Sequence, residues 1–422
     1  MIPLHSRAWW RATLALCLGS IIVFVNLYAP QPLLPALREL HGVSTLAAGL
    51  VMSAATLAVA LALLGFGPLS DALGRGAIMR LTLLLGALAT LGLALVPGFE
   101  GLLLLRVLQG LVLGGLPAVA IAWMGDEFEP RALSAAVGLY IGANTLGGIG
   151  GRLLGGAAGE WWGVEAAFLL IGALSLVGVA LFWWLLPRAR HFRPAPLAPR
   201  AIAAGLAAQL RHPPLLGAYL LGGLSFLVFI NQYSYLTFRL SEAPHGLTSR
   251  WLGLLFLTYL GGTLGASLSG RITQRFAQPR VMALGIGLLM LGSLGTLSDS
   301  LAGILAALTL NAFGFFLAHA TASAWVGLHA QGARGSASAL YLVCYYLGAS
   351  LGTLYLEPFW RLWQWPGVVA ASLALLLVPL GIALALGRWQ SAAARAVQGS
   401  GRPPASLPQT SVRRSSRPQA DL

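Results

Sequence analysis

Arg106 and Gln109 stand three residues apart inside a long apolar run, and Gly110 follows at once. At helical spacing the three share one face. A guanidinium within a membrane-length segment is costly, so it faces a cavity, finds a partner or snorkels to the interface. Arg106 is only about six residues into its run, which leaves a functional role and outward snorkelling both open. Arg152 poses the same question nearer the end of another run, where pairing with Glu160 is a further reading. His319 sits well inside a third run, and imidazole titrates near physiological pH. Tyr341, Tyr345 and Tyr346 fall at a similar depth on the next run. His319 is then either a proton-binding site or a neutral imidazole bonded to a tyrosine. Amides and phenols complete the set. Asn26, Tyr28 and Gln31 lie beside Pro30, Pro32 and Pro35, while Asn231, Gln232, Tyr233 and Tyr235 cluster further on, and Asn311 stands alone. Such groups among aromatic faces suit a polar, hydroxylated or amphipathic organic solute, although some must merely bridge helices.

The acids point the same way. None of the 12 Asp and Glu falls securely at mid-membrane, so the carboxylate that could exchange a proton for a cation is missing. Neutral and anionic solutes remain open. No His, Cys, Asp and Glu set has metal-ligand spacing, no nucleophile stands beside a base, and no phosphate-binding loop occurs. We therefore expect no catalytic residues, no metal and no cofactor.

The elements that hold these groups follow from composition. Of 422 residues, 57% are hydrophobic and 9% charged, against roughly 25% charged in a soluble domain. That balance excludes a soluble enzyme. The basic residues, all arginine, are spread between apolar runs and form no patch for nucleic acid. Twelve apolar runs of spanning length can be counted, from 12–35 to 366–387, each near the ~20 residues a bilayer requires. With the N-terminus in the cytoplasm, 20 arginines fall on the cytoplasmic side; only Arg38, Arg239, Arg250 and Arg361 fall opposite. The positive-inside rule then predicts that both termini are cytoplasmic.

The chain also repeats itself. Ala122-Trp123-Met124-Gly125 matches Ala324-Trp325-Val326-Gly327 at an offset of 202, and Leu139-Tyr140 matches Leu340-Tyr341 at 201. A near-constant offset argues for internal duplication. Parallel repeats of this kind place a transport site between two halves. The expected layout is an all-α membrane protein: a six-helix bundle over 1–187, a cytoplasmic linker over 188–213, a second six-helix bundle over 214–390 and a disordered cytoplasmic tail over 391–422. Gly147, Gly151 and Gly155 recur every fourth residue and predict a close helix-packing stripe.

Gly67-Pro68-Leu69-Ser70-Asp71-Ala72-Leu73-Gly74-Arg75 resembles the G-x-x-x-D-x-x-G-R loop of the major facilitator superfamily. Arg106-Val107-Leu108-Gln109-Gly110 resembles its R-x-x-Q-G signature, and Gly142 to Gly156 resembles the glycine-rich fifth helix of its drug:proton antiporters. Within the superfamily the chain is most similar to YnfM-type inner-membrane transport proteins. It departs from the loop consensus at Ala72 and Gly76, where basic residues are usual, and the second copy has Gln274 at the Asp position. The resemblance implies a pseudo-symmetric twelve-helix transporter in a bacterial inner membrane, exporting a small organic solute by alternating access with proton influx. It implies a conformational latch at Gly67, Asp71, Gly74 and Arg75, with the two glycines letting the turn pack tightly. Coupling roles fall to Arg106, Gln109, Arg152 and His319. A substrate cavity is expected from Asn26, Tyr28, Gln31, Asn231, Gln232, Tyr235, Asn311 and Tyr345. The expected partners are membrane lipid, the solute and a proton, with no nucleic acid, and the chain is expected to act as a monomer. A sugar or organic-anion facilitator or symporter of the same fold is the alternative; a membrane-embedded enzyme or a channel is more remote.

Overall fold

The computed structural model describes residues 1–192, 194, 198–330 and 334–399. These are helical almost throughout, and the only extended pairing among them is an isolated bridge between Ile2 and Phe128. The first half comprises α1 (Arg7–Tyr28), α2 (Leu34–His41), α3 (Thr45–Leu73), α4 (Arg75–Leu93), α5 (Gly98–Leu113), α6 (Gly115–Glu127), α7 (Pro130–Trp162) and α8 (Val164–Leu185). The second comprises α10 (Pro213–Ser241), α11 (Ser249–Leu254), α12 (Tyr259–Thr273), α13 (Gln278–Gly295), α14 (Leu301–His329) and α15 (Arg334–Gly399). Between them α9 (Pro199–Leu210) occupies part of the expected linker, with 193 and 195–197 outside the described residues.

Ten helical stretches among the described residues are long and apolar enough to cross a membrane. One of them, within α15, makes two passes. Gln364 has a non-helical backbone (φ 51, ψ −142), and the chain folds back there. The Tyr355 hydroxyl donates to the Ala371 carbonyl at 3.1 Å, and a Cβ on Gly367 would strike the Phe359 carbonyl. Both pairs are centred on residue 363, the register of an antiparallel hairpin. The expected span 281–298 corresponds to α13. It has 18 residues and is not among the ten, but it runs antiparallel to α14 through close Gly285–Gly314 and Gly292–Asn311 contacts. The tail expected from residue 391 begins as helix, since α15 continues to Gly399, and 400–422 lie outside the described residues.

Apolar side chains face outward as well as inward. Leu61, Leu264 and Leu351 are each more than half exposed, and Trp161, Trp162, Trp184 and Trp363 stand exposed near helix ends. Such an apolar belt with aromatic rims is what a bilayer requires of the protein surface. Inside, glycine sets the helix spacing. A Cβ on Gly147 would lie 2.8 Å from the Ile21 Cα, and one on Gly151 2.6 Å from the Val25 Cα; one on Gly155 would strike the Ala29 carbonyl. The stripe of α7 therefore rests on the α1 backbone, in parallel register. In the second half Gly348 and Gly352 rest on Gly223 and Leu227 of α10 in the same register. The duplication read from sequence is present as a repeated seam.

Candidate functional site

Each span reverses the chain, so the ends of odd spans and the starts of even spans share one side, distal to the N-terminus. Among the described residues, the side-chain hydrogen bonds and ion pairs that join the halves are all on that side. Gln31 Nε2 donates to the Ile230 carbonyl at 3.1 Å and to Ser234 Oγ at 2.9 Å. Ser53 Oγ donates to Thr353 Oγ1 at 2.8 Å, and Thr353 Oγ1 donates to Asn231 Oδ1 at 2.9 Å. At the rim, Arg38 pairs with Glu242 at 3.0 Å, and Glu160 accepts the Thr248 hydroxyl and the Arg250 amide. A polar cleft of about 500 Å³ opens beside this rim, lined by Arg38, Ser44, Thr45, Glu357, Arg361 and Gln364. Rim pairs of this kind are worth roughly 0–1 kcal/mol each.

Arg106 lies within the first half and is fully buried. Pro30 has no N–H, so the Asn26 carbonyl loses its usual i+4 donor. Arg106 Nη1 fills that place at 3.2 Å, while Nη2 donates to the Leu27 carbonyl at 2.9 Å and Nε to the Val51 carbonyl at 3.0 Å. Nη1 also donates to Gln109 Oε1. Of the two readings left open for Arg106, outward snorkelling does not hold: the guanidinium points into the bundle and caps the broken end of α1. Gln109 Nε2 goes on to Thr90 Oγ1 at 2.6 Å, and the Thr90 hydroxyl donates to Asn26 Oδ1. Asn26 Nδ2 in turn reaches Ser175 Oγ at 2.8 Å.

The second half repeats this polar core. Ser293 Oγ donates to Gln232 Oε1 at 2.9 Å, and Asn311 Nδ2 reaches Ser293 Oγ at 3.0 Å and Gln232 Oε1 at 3.2 Å. Thr90 and Ser293 differ by 203 positions, Gln109 and Asn311 by 202. The hydroxyls of Thr90, Ser175 and Ser293 escaped the sequence reading, although the repeat offset would have paired two of them. Asn26, Gln232 and Asn311 thus make their side-chain bonds inside their own halves, while Gln232 Nε2 and Asn311 Oδ1 are buried without a partner. Buried amides are usually paired, and here helix neighbours supply part of the set. Asn231 belongs to the seam through Thr353. Tyr235 donates to the Thr353 carbonyl at 3.0 Å and to Glu357 at 2.9 Å, so Glu357 is a buried acid, held also by Arg361 at 2.7 Å.

Arg152 lies at the seam itself and is 1% exposed. The structure does not pair it with Glu160, which is turned to Thr248 and Arg250. Its Nε donates to Gln31 Oε1 at 2.8 Å and its Nη1 to the Gly148 carbonyl at 2.7 Å. The guanidinium lies 4.1 Å from the Tyr28 ring centroid, 4.4 Å from that of Phe256 and 5.0 Å from that of Tyr259. Phe256 and Tyr259 are contributed by the second half and were not foreseen. Gln31 and Tyr28, read as cavity residues, and Arg152, read as a coupling residue, are therefore brought together, while Arg106 is held apart from them.

His319 is part-buried in α14. Its Nδ1 is 2.9 Å from the Tyr341 hydroxyl, and its ring lies 4.7 Å from that of Tyr345. Tyr345 stacks on Phe226 at 3.6 Å. The imidazole and tyrosines expected at one depth do meet.

At the start of α4, Arg75 Nη2 pairs with Asp71 at 2.9 Å, while Nη1 reaches Asp126 and the Ala122 carbonyl. This ties the α3–α4 turn to the end of α6. Gly74 has φ +100, a conformation that favours glycine. Gly67 does not share this reason: it is inside α3, and a Cβ there would meet nothing within 4 Å. The expectation that Gly67 packs tightly is corrected.

Comparison with known proteins agrees with this architecture. Residues 16–353 match the family model described as Major Facilitator Superfamily. The chain is 37% identical over 377 residues to the inner membrane transport protein YnfM of Escherichia coli (strain K12), covering 89% of each chain. It is 34% identical over 379 residues to YybF, an uncharacterized MFS-type transporter of Bacillus subtilis (strain 168), covering 90% of this chain and 94% of that one. Among solved structures, a bacterial homolog of the human lysosomal transporter Spinster, inward-facing and unoccupied, is similar with TM-score 0.70 and 18% identity, covering 95% of this chain and 100% of that one. The human organic anion transporter MFSD10 is similar with TM-score 0.69 and 20% identity, covering 89% and 99%. These last two likenesses concern the fold.

Proposed function

Because this chain belongs to the major facilitator superfamily of membrane transporters, we propose that it moves a small organic solute by rocking its two halves about the Arg152–Gln31 seam. The observation that carries the reading is the one-sided seam: polar contacts join the halves on the distal side alone among the described residues. A molecule closed on one side by weak contacts is one state of an alternating-access cycle. The arginine distribution assigns the proximal side, with both termini, to the cytoplasm of a bacterial inner membrane, so this state faces inward. Each chain carries both halves of the site, so a monomer suffices.

Proton-coupled export is the mode we assign. His319 is its titratable candidate, with an imidazole bonded to the Tyr341 hydroxyl of a neighbouring helix. Protonation would place a charge between α14 and α15 and change their packing. Arg106 and Gln109 support coupling by fixing the broken end of α1, and Asp71 and Arg75 form the latch beneath it.

The test is efflux of candidate solutes from loaded proteoliposomes, with and without an imposed pH gradient. The reading expects saturable movement that accelerates with the gradient and collapses when a protonophore is added. Saturable flux indifferent to the gradient would contradict proton coupling and leave a facilitator; non-saturable flux would contradict a carrier.

A further inference from the structure

Arg152 carries a charge that the fold does not balance. Two of its three nitrogens are spent on neutral acceptors, Gln31 and the Gly148 carbonyl, and Nη2 is buried without a hydrogen-bond partner. The ion pairs among the described residues involve six other arginine and histidine side chains and leave Arg152 out. Removing a guanidinium from water without a counter-charge is unfavourable, and cation–π attraction to three rings offsets only part of that cost. A buried cation with one free donor edge is a site prepared for an anion.

We propose that Arg152 anchors the carboxylate of the transported solute, and that the solute is an organic monocarboxylate with an aromatic or similarly flat apolar body. This rests on the transport reading above. The charge argument selects one negative charge, since one guanidinium faces the seam and the other buried one, Arg106, has every nitrogen occupied. A phosphate dianion would find no second cation. Tyr28, Phe256 and Tyr259 offer ring faces beside the anchor. The arrangement also links binding to movement. Tyr28 belongs to the first half and the other two rings to the second, so the bare guanidinium holds the halves together. A carboxylate that pairs with Nη2 neutralises the charge those rings attract and loosens the seam.

The test uses three matched probes, benzoate, benzamide and benzylamine, with the full chain purified in detergent. Binding is measured by calorimetry and thermal stabilisation. Benzoate is expected to bind and stabilise; the neutral and cationic analogues are not. Arg152→Gln is expected to weaken benzoate at least tenfold. Arg152→Lys, which keeps the charge but loses the fork, should retain part of the affinity. Should Arg152→Gln fail to fold, Gln31→Glu gives the guanidinium an internal carboxylate and should abolish benzoate binding with the charge still present. Benzamide binding as tightly as benzoate, an unaffected Arg152→Gln, or no benzoate binding at all overturns the assignment. Proteoliposome flux separates the two claims: movement of some other solute with benzoate inert removes the anchor and keeps the transporter, whereas benzoate bound with no saturable flux of any solute keeps the anion site and removes the transport reading.

Discussion

Arg106 and Arg152 are both buried in the bundles and neither has an acid in reach, yet their donors are spent differently. Arg106 has every nitrogen on an acceptor, and its acceptors, carbonyls of α1 and α3 and the Gln109 side chain of α5, lie within one half. Arg152 keeps Nη2 free and leans on rings from both halves. A guanidinium that replaces missing backbone donors is part of the scaffold. One with an unspent donor at the seam between the halves is available to a ligand. Burial and residue type alone do not distinguish the two; the partner list does.

The contrast is sharpened first by Arg106→Met. It strands the Asn26 and Leu27 carbonyls, and buried unsatisfied acceptors cost about 1–3 kcal/mol each. We expect a loss of roughly 3 kcal/mol, seen as a large fall in the thermal midpoint in detergent. Gly151→Val tests the scaffold from the opposite side. Its Cβ would lie 2.6 Å from the Val25 Cα, and overpacking of this kind costs about 1–3 kcal/mol. Arg152→Gln should instead leave the midpoint within about 1 kcal/mol, because it removes an uncompensated buried charge. A collapse of Arg152→Gln matching that of Arg106→Met would break the comparison. His319→Phe should have the smallest effect on stability, since stacking on Phe315 and the ring contact with Tyr345 are kept, and the Tyr341 hydroxyl keeps the residue-319 carbonyl as an acceptor. Its expected consequence is loss of the pH dependence of transport; a retained pH profile would remove His319 from coupling.

Much of the scaffold was legible in the sequence. Pro30, Pro32 and Pro35 announce the break after α1, and the glycine period of α7 announces the seam on α1, because both act through backbone geometry that sequence encodes locally. The site was legible only in part. Tyr28 and Gln31 read together beside the prolines, but Arg152 reads separately, with Glu160 as a candidate partner. Phe256 and Tyr259 come from the other half, and nothing in an apolar run marks which phenyl faces a seam. Asn26, Gln232 and Asn311 read as cavity amides because their depth was right, but depth does not give the direction of a side chain. The 203-residue step from Thr90 to Ser293 carried that information, and it became readable only with the side-chain bonds of each half in view.

The most direct test of alternating access is a cross-link across the distal seam. Ser53 Oγ and Thr353 Oγ1 are 2.8 Å apart on opposite halves. In a background with Cys17 and Cys344 replaced by serine, Ser53→Cys with Thr353→Cys should oxidise readily, and solute flux should stop on oxidation and return on reduction. Undiminished flux through the cross-linked protein would contradict a transport cycle that opens this seam.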